Sequence, residues 1–301
     1  MRKNVAAKRI GLGTVQFGTN YGVVDPKQKL TEVEIAKTLD LAQESGVELL
    51  DTAFGYGSAE TEVGRYLNGN SAFKVVTKTA IFPSSEITAD VCSRLRDSFL
   101  LSLERLRVDS VYGLLVHDAK MFEKPGAERL AELLRGLVDE GLAKKVGVSV
   151  YDAGQLDKIL KIYPPDLVQL PTSVVDQRLL RSGHLERLSR SGVEIHGRTI
   201  FLQGVLLASP EKLPPHFKAV RSIFENFAKL ATAHGLSQLD ACIKFALDYS
   251  ETDVSVVGVN SANELNDILS SLDRCSSFTF DFEQYAIDDD LYLNPLHWSG
   301  S

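Results

Sequence analysis

The sequence has few cysteines and no long apolar run. Its three cysteines, Cys92, Cys242 and Cys275, lie far apart and form no Cys-x-x-Cys pair. This pattern predicts reduced thiols, a cytoplasmic location and no metal site. The apolar runs fall short of the roughly 18 residues that a membrane-spanning helix needs. The basic residues 1–9 lack the apolar core of a signal peptide, so neither a membrane segment nor a secretion signal is predicted.

The chain is also poor in positive charge. Its 301 residues include 33 Lys and Arg against 40 Asp and Glu, which gives a net charge of −7. Nucleic-acid binding needs a dense cationic face, so no nucleic-acid partner is expected. With 44% hydrophobic and 24% charged residues, the composition excludes disordered, collagen-like and low-complexity proteins and is typical of a globular protein.

Short β-rich runs alternate along the chain with longer segments of helical periodicity. The predicted strands span 9–14, 47–53, 73–79, 110–118, 145–150, 167–172, 193–200 and 254–259. The predicted helices span 31–45, 59–67, 89–106, 127–140, 153–162, 183–191, 217–234, 237–249 and 263–272. Thr31 and Glu34 have the spacing of a capping box at the start of the first helix, and Gly46 ends it.

Eight strand–helix repeats in one chain predict an α/β fold, a (β/α)₈ TIM barrel, with residues 1–301 in a single domain. A doubly wound sheet is the alternative, but its first turn normally reads Gly-x-Gly-x-x-Gly. Here the segment GLGTVQFG brings the third glycine too late. Residues 278–301, rich in aromatic and acidic side chains, follow the repeats as a C-terminal tail.

Polar residues stand at or just after the end of most predicted strands. The active sites of TIM barrels form at these C-terminal ends, so such residues are candidates for a shared site. In chain order they are Asp51, Tyr56, Lys78, His117, Ser149, Gln169, Arg198, Asn260 and Ser261.

Four of these side chains, each taken alone, also have a purely structural explanation. Asp51 could cap a helix, Lys78 could be a solvated charge, His117 a hydrogen-bonded core histidine and Tyr56 a loop aromatic. Their convergence on three neighbouring strands is what indicates a site. A lysine beside a carboxylate stays charged, and its charge lowers the pKa of a nearby tyrosine. With a histidine that orients a carbonyl group, the site polarises and protonates C=O and lacks only a hydride donor.

The segment DTAFGYG at 51–57 matches the pattern Asp-Thr-Ala-x-x-Tyr-Gly, and Lys78 and His117 follow it in order. With these residues and the opening strand GLGT at 11–14, the sequence resembles the aldo-keto reductase superfamily from about residue 10 to 272. The resemblance implies an NAD(P)H-dependent oxidoreductase that reduces an aldehyde, ketone or sugar carbonyl to the alcohol. It implies that Tyr56 is the general acid, Lys78 lowers its pKa, Asp51 holds Lys78 and His117 orients the substrate carbonyl.

The resemblance also implies a nicotinamide cofactor bound in extended form. The cofactor-binding residues that it implies are Gly13, Thr14, Ser149, Gln169, Arg198, Gly258, Asn260, Ser261 and Glu264. Arg198 departs from the family pattern, in which an aromatic residue stacks on the nicotinamide. A guanidinium can stack as well, but its charge disfavours the oxidised ring. Residues 257–265 match the family's phosphate-binding segment. Asn260 is neutral where members that prefer NADP usually carry Arg or Lys to pair with the 2′-phosphate, so the expected cofactor is NADPH with NADH as a second candidate.

Two other functions stay open at this point. One is a cofactor-binding regulatory subunit with little catalysis, and the other is a non-redox barrel in which Lys78 forms a Schiff base. Phe17, Tyr21 and Phe54 either wall a substrate pocket or pack the loops. The tail either folds over the substrate or packs outside the barrel. The sequence predicts a small-molecule carbonyl substrate, but it identifies neither that substrate nor the oligomeric state.

Overall fold

The strands of the protein form a closed parallel barrel. The computed structural model describes residues 6–23, 28–68 and 73–298. Eight strands pair in sequence order and the last pairs with the first. They are β1 (Ile10–Gly13), β2 (Leu49–Asp51), β3 (Lys74–Lys78), β4 (Val111–Val116), β5 (Ala143–Ser149), β6 (Leu167–Pro171), β7 (Glu194–Arg198) and β8 (Val254–Gly258). The predicted (β/α)₈ barrel is therefore confirmed.

Helices connect the strands on the outside of the barrel. The longer ones are α1 (Glu32–Ser45), α2 (Ala59–Leu67), α3 (Ala89–Leu106), α4 (Ala127–Asp139), α5 (Ala153–Ile159), α6 (His184–Arg190), α7 (Arg221–Ala233), α8 (Gln238–Asp248) and α9 (Ala262–Arg274). Shorter helical segments occupy Val15–Gly18, Ala119–Glu123, Arg178–Arg181, Leu202–Leu207, Pro210–Lys212, Pro215–Val220, Glu283–Tyr285, Asp290–Leu293 and Pro295–His297. The helix predicted over 217–234 is divided, because its first turn is a 3₁₀ turn and α7 begins only at Arg221.

The two faces of the sheet carry separate hydrophobic clusters. Alternate strand residues such as Leu50, Val75 and Leu114 belong to the large core that the helices cover. Their neighbours in the chain form a second buried cluster inside the barrel, made of Leu49, Val76, Leu115, Leu167 and Val254. Because side chains alternate along a strand, residues two positions further on face the same interior. Those positions hold Asp51, Lys78, His117, Gln169 and Val256.

The capping box predicted at the start of α1 is only half formed. Thr31 Oγ1 accepts a hydrogen bond from the backbone N–H of Glu34. The carboxylate of Glu34 accepts instead from the backbone N–H of Ala262, at 2.8 Å. The free N–H groups at the start of α9 attract a carboxylate more strongly than a single backbone amide does. A complete capping box lies elsewhere, between Ser237 and Asp240 at the start of α8.

The C-terminal tail packs outside the barrel and then returns to its upper rim. Phe282 packs against Phe245 of α8, with ring centroids 5.3 Å apart. The N–H of Ile287 donates to the carbonyl of Val175 in the loop after β6. Trp298 then packs against Phe217. The tail thus packs partly outside the barrel and partly at its rim, and its last residues, 299–301, lie outside the described residues.

Two predictions from the composition concern cysteines and membranes. Cys92, Cys242 and Cys275 are free thiols. Within residues 6–23, 28–68 and 73–298, the helices are too short or too polar to span a bilayer.

Candidate active site

A deep cavity opens at the C-terminal ends of the strands. Its volume is about 1010 Å³. It is lined by nearly all the candidate residues, namely Gly13, Thr14, Asp51, Tyr56, Lys78, His117, Ser149, Gln169, Arg198, Gly258, Asn260 and Glu264. Ser261 is the exception: its hydroxyl accepts from the backbone N–H of Glu264 and caps α9.

Lys78 and Asp51 form a buried ion pair at the bottom of this cavity. The distance from Lys78 Nζ to Asp51 Oδ1 is 2.6 Å, and Nζ also donates to the carbonyl of Thr52 at 3.0 Å. Gln169 Nε2 donates to the second carboxylate oxygen at 2.7 Å. Burial opposes the charged form of Lys78, but the attraction and hydrogen bonds of Asp51 and Tyr56 outweigh it and raise the pKa of Lys78. The lysine is therefore a permanent cation near neutral pH.

Tyr56 lies above this cation in a turn that close backbone packing fixes. Lys78 Nζ is 5.1 Å from the centroid of the Tyr56 ring. The Tyr56 N–H donates to Ala53, and the Tyr56 carbonyl accepts from Ala59, both at 3.0 Å. Gly18 packs against the same turn so closely that a Cβ there would lie 1.7 Å from the Tyr56 carbonyl oxygen. Only glycine at position 18 permits this approach.

His117 completes the group as a neutral imidazole. Its ring meets the Tyr56 ring edge to face, with centroids 5.9 Å apart. Burial, reinforced by the charge of Lys78, lowers the pKa of His117 from 6.5 to about 4. Nδ1 is buried and has no hydrogen-bond partner. A neutral imidazole can donate one hydrogen bond to a carbonyl oxygen without introducing a second charge.

A model of the Aldo/keto reductase family matches residues 9–292. The chain belongs to this family. Its members are oxidoreductases, and the resemblance stated from the motifs is confirmed. This aldo/keto reductase is 26% identical over 285 residues to the aldo-keto reductase YhdN of Bacillus subtilis, covering 87% of this chain and 84% of that protein. It is 25% identical over 221 residues to the NADH-specific methylglyoxal reductase of Escherichia coli, covering 67% and 66%.

Solved structures share the fold at lower identity. The holo form of the aldo-keto reductase AKR11C1 from Bacillus halodurans superposes with a TM-score of 0.73 at 17% identity, covering 92% of this chain and 89% of that one. The glycerol dehydrogenase AKR11B4 from Gluconobacter oxydans gives 0.68 at 20% identity, covering 95% and 92%. These likenesses concern the barrel.

Arg198, at the end of β7, is fixed in the mouth of the reductase cavity. Nη2 donates to the carbonyl of Val150 at 3.0 Å and Nη1 to Thr199 Oγ1 at 3.1 Å. Its guanidinium lies 4.3 Å from the centroid of the Tyr151 ring. Thr199, Leu202 and Gln203 all have positive φ angles of 48–64°. Each such non-glycine residue costs about 1–3 kcal/mol, and this kind of strain is concentrated at functional sites.

Carboxylates crowd the part of the cavity next to β8 and α9. Glu264 Oε2 accepts from the backbone N–H of Asn260 at 2.7 Å and from its side-chain amide at 3.1 Å. The carboxylate of Glu34 accepts a hydrogen bond from the backbone N–H of Ala262. Asp267, one turn further along α9, also lines the cavity. The backbone N–H groups of Asn260 and Ala262, where the resemblance implies a phosphate site, are thus already hydrogen-bonded to carboxylates.

Sequence reasoning missed several lining residues. They include Tyr151, Gln203, Lys212 and Asp267. Tyr151 lies two residues after Ser149 at the end of β5, a position that could have been included. The residues after β7 carry no motif, and their approach to the cavity depends on the left-handed turns described above. Of the three aromatics left open, Tyr21 lines the cavity, Phe17 is fully buried in the core, and Phe54 packs under Arg105.

No group of three or more His, Cys, Asp or Glu side chains suited to a metal ion occurs among the described residues.

Proposed function

We propose that this aldo/keto reductase reduces a carbonyl compound to its alcohol, with Tyr56 as the proton donor. The observation that carries the proposal is the charged Lys78, fully buried against Asp51 and 5.1 Å from the Tyr56 ring, beside a neutral His117 in one cavity. A cation next to a phenol stabilises the phenolate and so makes the hydroxyl a better acid. We infer that Tyr56 gives its proton to the carbonyl oxygen as that oxygen gains negative charge.

The other side chains have supporting roles in this proposal. His117 donates a hydrogen bond to the same oxygen and orients it. Asp51 keeps Lys78 charged and in place, and Gln169 holds Asp51 through its second oxygen.

The lining of the cavity fits a nicotinamide cofactor, which when bound supplies the hydride. The carbonyl oxygen of the Gln169 side chain and the hydroxyl of Ser149 are suited to the carboxamide, since Gln169 uses its N–H₂ group on Asp51. Gln16 Oε1 and Asn260 Oδ1 are buried without hydrogen-bond partners and border the same cavity. Unpaired buried acceptors are costly unless a ligand supplies a donor. Gly13, Thr14 and Gly258 also line this cavity.

We infer further that NADH is preferred to NADPH. The sequence favoured NADPH with NADH as a second candidate. Glu34, Glu264 and Asp267 add negative charge to the part of the cavity where the resemblance implies the 2′-phosphate site. A phosphate dianion is repelled there, whereas a ribose hydroxyl can donate to a carboxylate. The NADH specificity printed in the name of the E. coli relative agrees with this inference.

A Schiff-base mechanism is disfavoured by the same ion pair. An amine attacks a carbonyl only when it is neutral. The pKa of Lys78 is raised by Asp51 and Tyr56 against the effect of burial, so the neutral amine is scarce.

The proposals of a cytoplasmic location and a small-molecule carbonyl substrate rest on the sequence and the family.

The decisive experiment replaces the proton donor and measures chemistry and binding separately. Tyr56→Phe should lower kcat for a panel of aldehydes and ketones by roughly 10²–10⁴-fold, the usual contribution of a general acid. The Kd for the reduced cofactor should change little, because the variant removes only a hydroxyl. Tyr66→Phe is the matched control, since its hydroxyl binds Asp40 on the surface. A Tyr56→Phe variant with most of its activity would refute the assignment of the proton donor.

The cofactor preference is tested by equilibrium binding. NADH should bind roughly tenfold more tightly than NADPH, because each carboxylate near the 2′ position repels the added phosphate. The double variant Glu264→Gln with Asp267→Asn removes two charges and retains hydrogen-bonding groups. It should therefore reduce the difference between the Kd values for NADH and NADPH. Tighter binding of NADPH to the unaltered protein would contradict the inference.

A further inference from the structure

The charges that line the cavity are unevenly distributed. The acidic lining residues are Asp51, Glu264 and Asp267, and the basic ones are Lys78, Arg198 and Lys212. Asp51 and Lys78 neutralise each other. Glu264 and Asp267 lie on α9, whereas Arg198 lies at the end of β7, which is in the mouth with Tyr21 and Tyr56. Among the described residues, no carboxylate that lines the cavity forms an ion pair with Arg198.

The partners of Arg198 are all uncharged. Among the residues that the structure describes, its guanidinium contacts the Val150 carbonyl, the Thr199 hydroxyl and the Tyr151 ring, and no ion pair is formed. The buried carboxylate whose pKa Arg198 affects is Asp176, and both oxygens of Asp176 are bound by Arg178 at 2.9 Å. The protein thus leaves the positive charge of Arg198 available to a ligand.

Arg198 is also held rigidly and near the reacting groups. Two hydrogen bonds and an aromatic ring fix its planar group, which leaves its remaining N–H groups with a set direction. Its charge opposes the rise in the pKa of Tyr21 that burial causes and adds to the fall in the pKa of His117. Arg198, Tyr56 and His117 line the same cavity, so one ligand can contact all three side chains.

We propose that the substrate carries an oxyanion, a carboxylate or a phosphate, that binds Arg198 while its carbonyl group lies between Tyr56 and His117. The substrate class is then an aldehyde or ketone acid, or a phosphorylated carbonyl compound. A planar guanidinium pairs with either oxyanion through two parallel hydrogen bonds, which gives direction as well as affinity. The inference rests on the proposed function, because it concerns the substrate of the same site.

The test compares matched charged and neutral substrates. The pairs are succinic semialdehyde with its methyl ester, and glyceraldehyde phosphate with glyceraldehyde. Because the cofactor is common to both members of a pair, the ratio of their kcat/KM values is insensitive to changes in cofactor binding or hydride transfer. Calorimetric titration with succinate and with dimethyl succinate gives a second readout that needs no turnover.

The unaltered protein should favour one charged member by roughly ten- to a hundredfold, the usual effect of a charge-assisted bidentate contact. Whichever pair shows the preference tells carboxylate from phosphate. Arg198→Met should abolish the preference for the charged substrate, and Arg198→Lys should retain part of it. Lys212→Met, which removes another cation that lines the cavity, should leave the ratio unchanged.

Three results would overturn the proposal: equal kcat/KM values within both pairs, an Arg198→Met ratio like that of the unaltered protein, or an equal loss in Lys212→Met. If the protein reduces neutral aldehydes as well as charged ones, only the substrate class is wrong. If it reduces none of these compounds with either cofactor, the proposed function itself fails.

Discussion

The ion pair between Asp51 and Lys78 should stabilise the fold only while both partners are present. The side chains are 6% and 1% exposed, and the distance between Nζ and Oδ1 is 2.6 Å. Asp51→Asn leaves the ammonium group buried with uncharged acceptors in place of the carboxylate, among them the Thr52 carbonyl. Removing one partner of such a pair costs about 3–5 kcal/mol of unfolding free energy. Lys78→Met should cost somewhat less, because Gln169 still donates to Asp51 at 2.7 Å.

The double variant, Asp51→Asn with Lys78→Met, shows whether the loss of unfolding free energy in the single variants comes from the unpaired charge. With both charges removed, no isolated ion remains in the barrel, so the loss should fall well short of the sum of the single losses. We expect a coupling energy of about 2–3 kcal/mol, the upper part of the range measured for residues in contact. The measurement is urea unfolding followed by circular dichroism at neutral pH.

A second cycle on a solvent-exposed pair provides the control. Lys158 Nζ and Glu123 Oε2 are 3.1 Å apart, with side chains 58% and 35% exposed. Exposed pairs contribute about 0–1 kcal/mol, so this coupling should be small. If the buried pair gives no larger coupling than this exposed pair, Lys78 is not held as a cation, and the reasoning about Tyr56 loses its basis.

Two further predictions concern His117 and the turn that carries Tyr56. Burial lowers the pKa of His117 to about 4, so between pH 6.5 and 4 the unfolded chain binds a proton that the folded protein does not. The unfolding free energy of the unaltered protein should therefore decrease as the pH is lowered from 6.5 to 4, by up to roughly 3 kcal/mol more than that of His117→Asn. If urea unfolding gives the two proteins the same dependence on pH, the prediction is wrong. Gly18→Ala places a Cβ against the Tyr56 carbonyl and should lower kcat. Gly55→Ala is the control, because no atom lies within 4 Å of its new Cβ, and its kcat should not change. Equal kcat values for the two variants would show that the turn adapts to the added methyl group.

The sequence predicted the barrel well because the pattern that encodes it is local. Strand runs, helix periodicity and helix caps are read within a few residues of each other. The placement of Asp51, Lys78 and His117 also follows from local order, since each lies two positions beyond an interior apolar residue of its strand. The DTAFGYG motif then adds Tyr56 in the adjoining loop.

Contacts between distant parts of the chain could not be predicted in this way. Glu34 is 228 residues from Ala262, and no local pattern indicates that its carboxylate leaves the capping box for the start of α9. The stacking of Arg198 on Tyr151 likewise joins two strands and depends on left-handed residues after β7. These are the contacts from which the NADH preference and the anionic substrate are inferred, so the specificity of the site was less predictable than its chemistry.

The single indole of the protein lies at the point where the tail returns to the rim. Trp298 is 4% exposed and packs on Phe217 at 5.1 Å, while its neighbours Pro295 and Leu296 border the cavity. Intrinsic emission therefore arises from one location on the molecule. A red shift would report detachment of the last turn, and protection from a dissolved quencher would report that it is docked, so an optical signal follows the rim without any label.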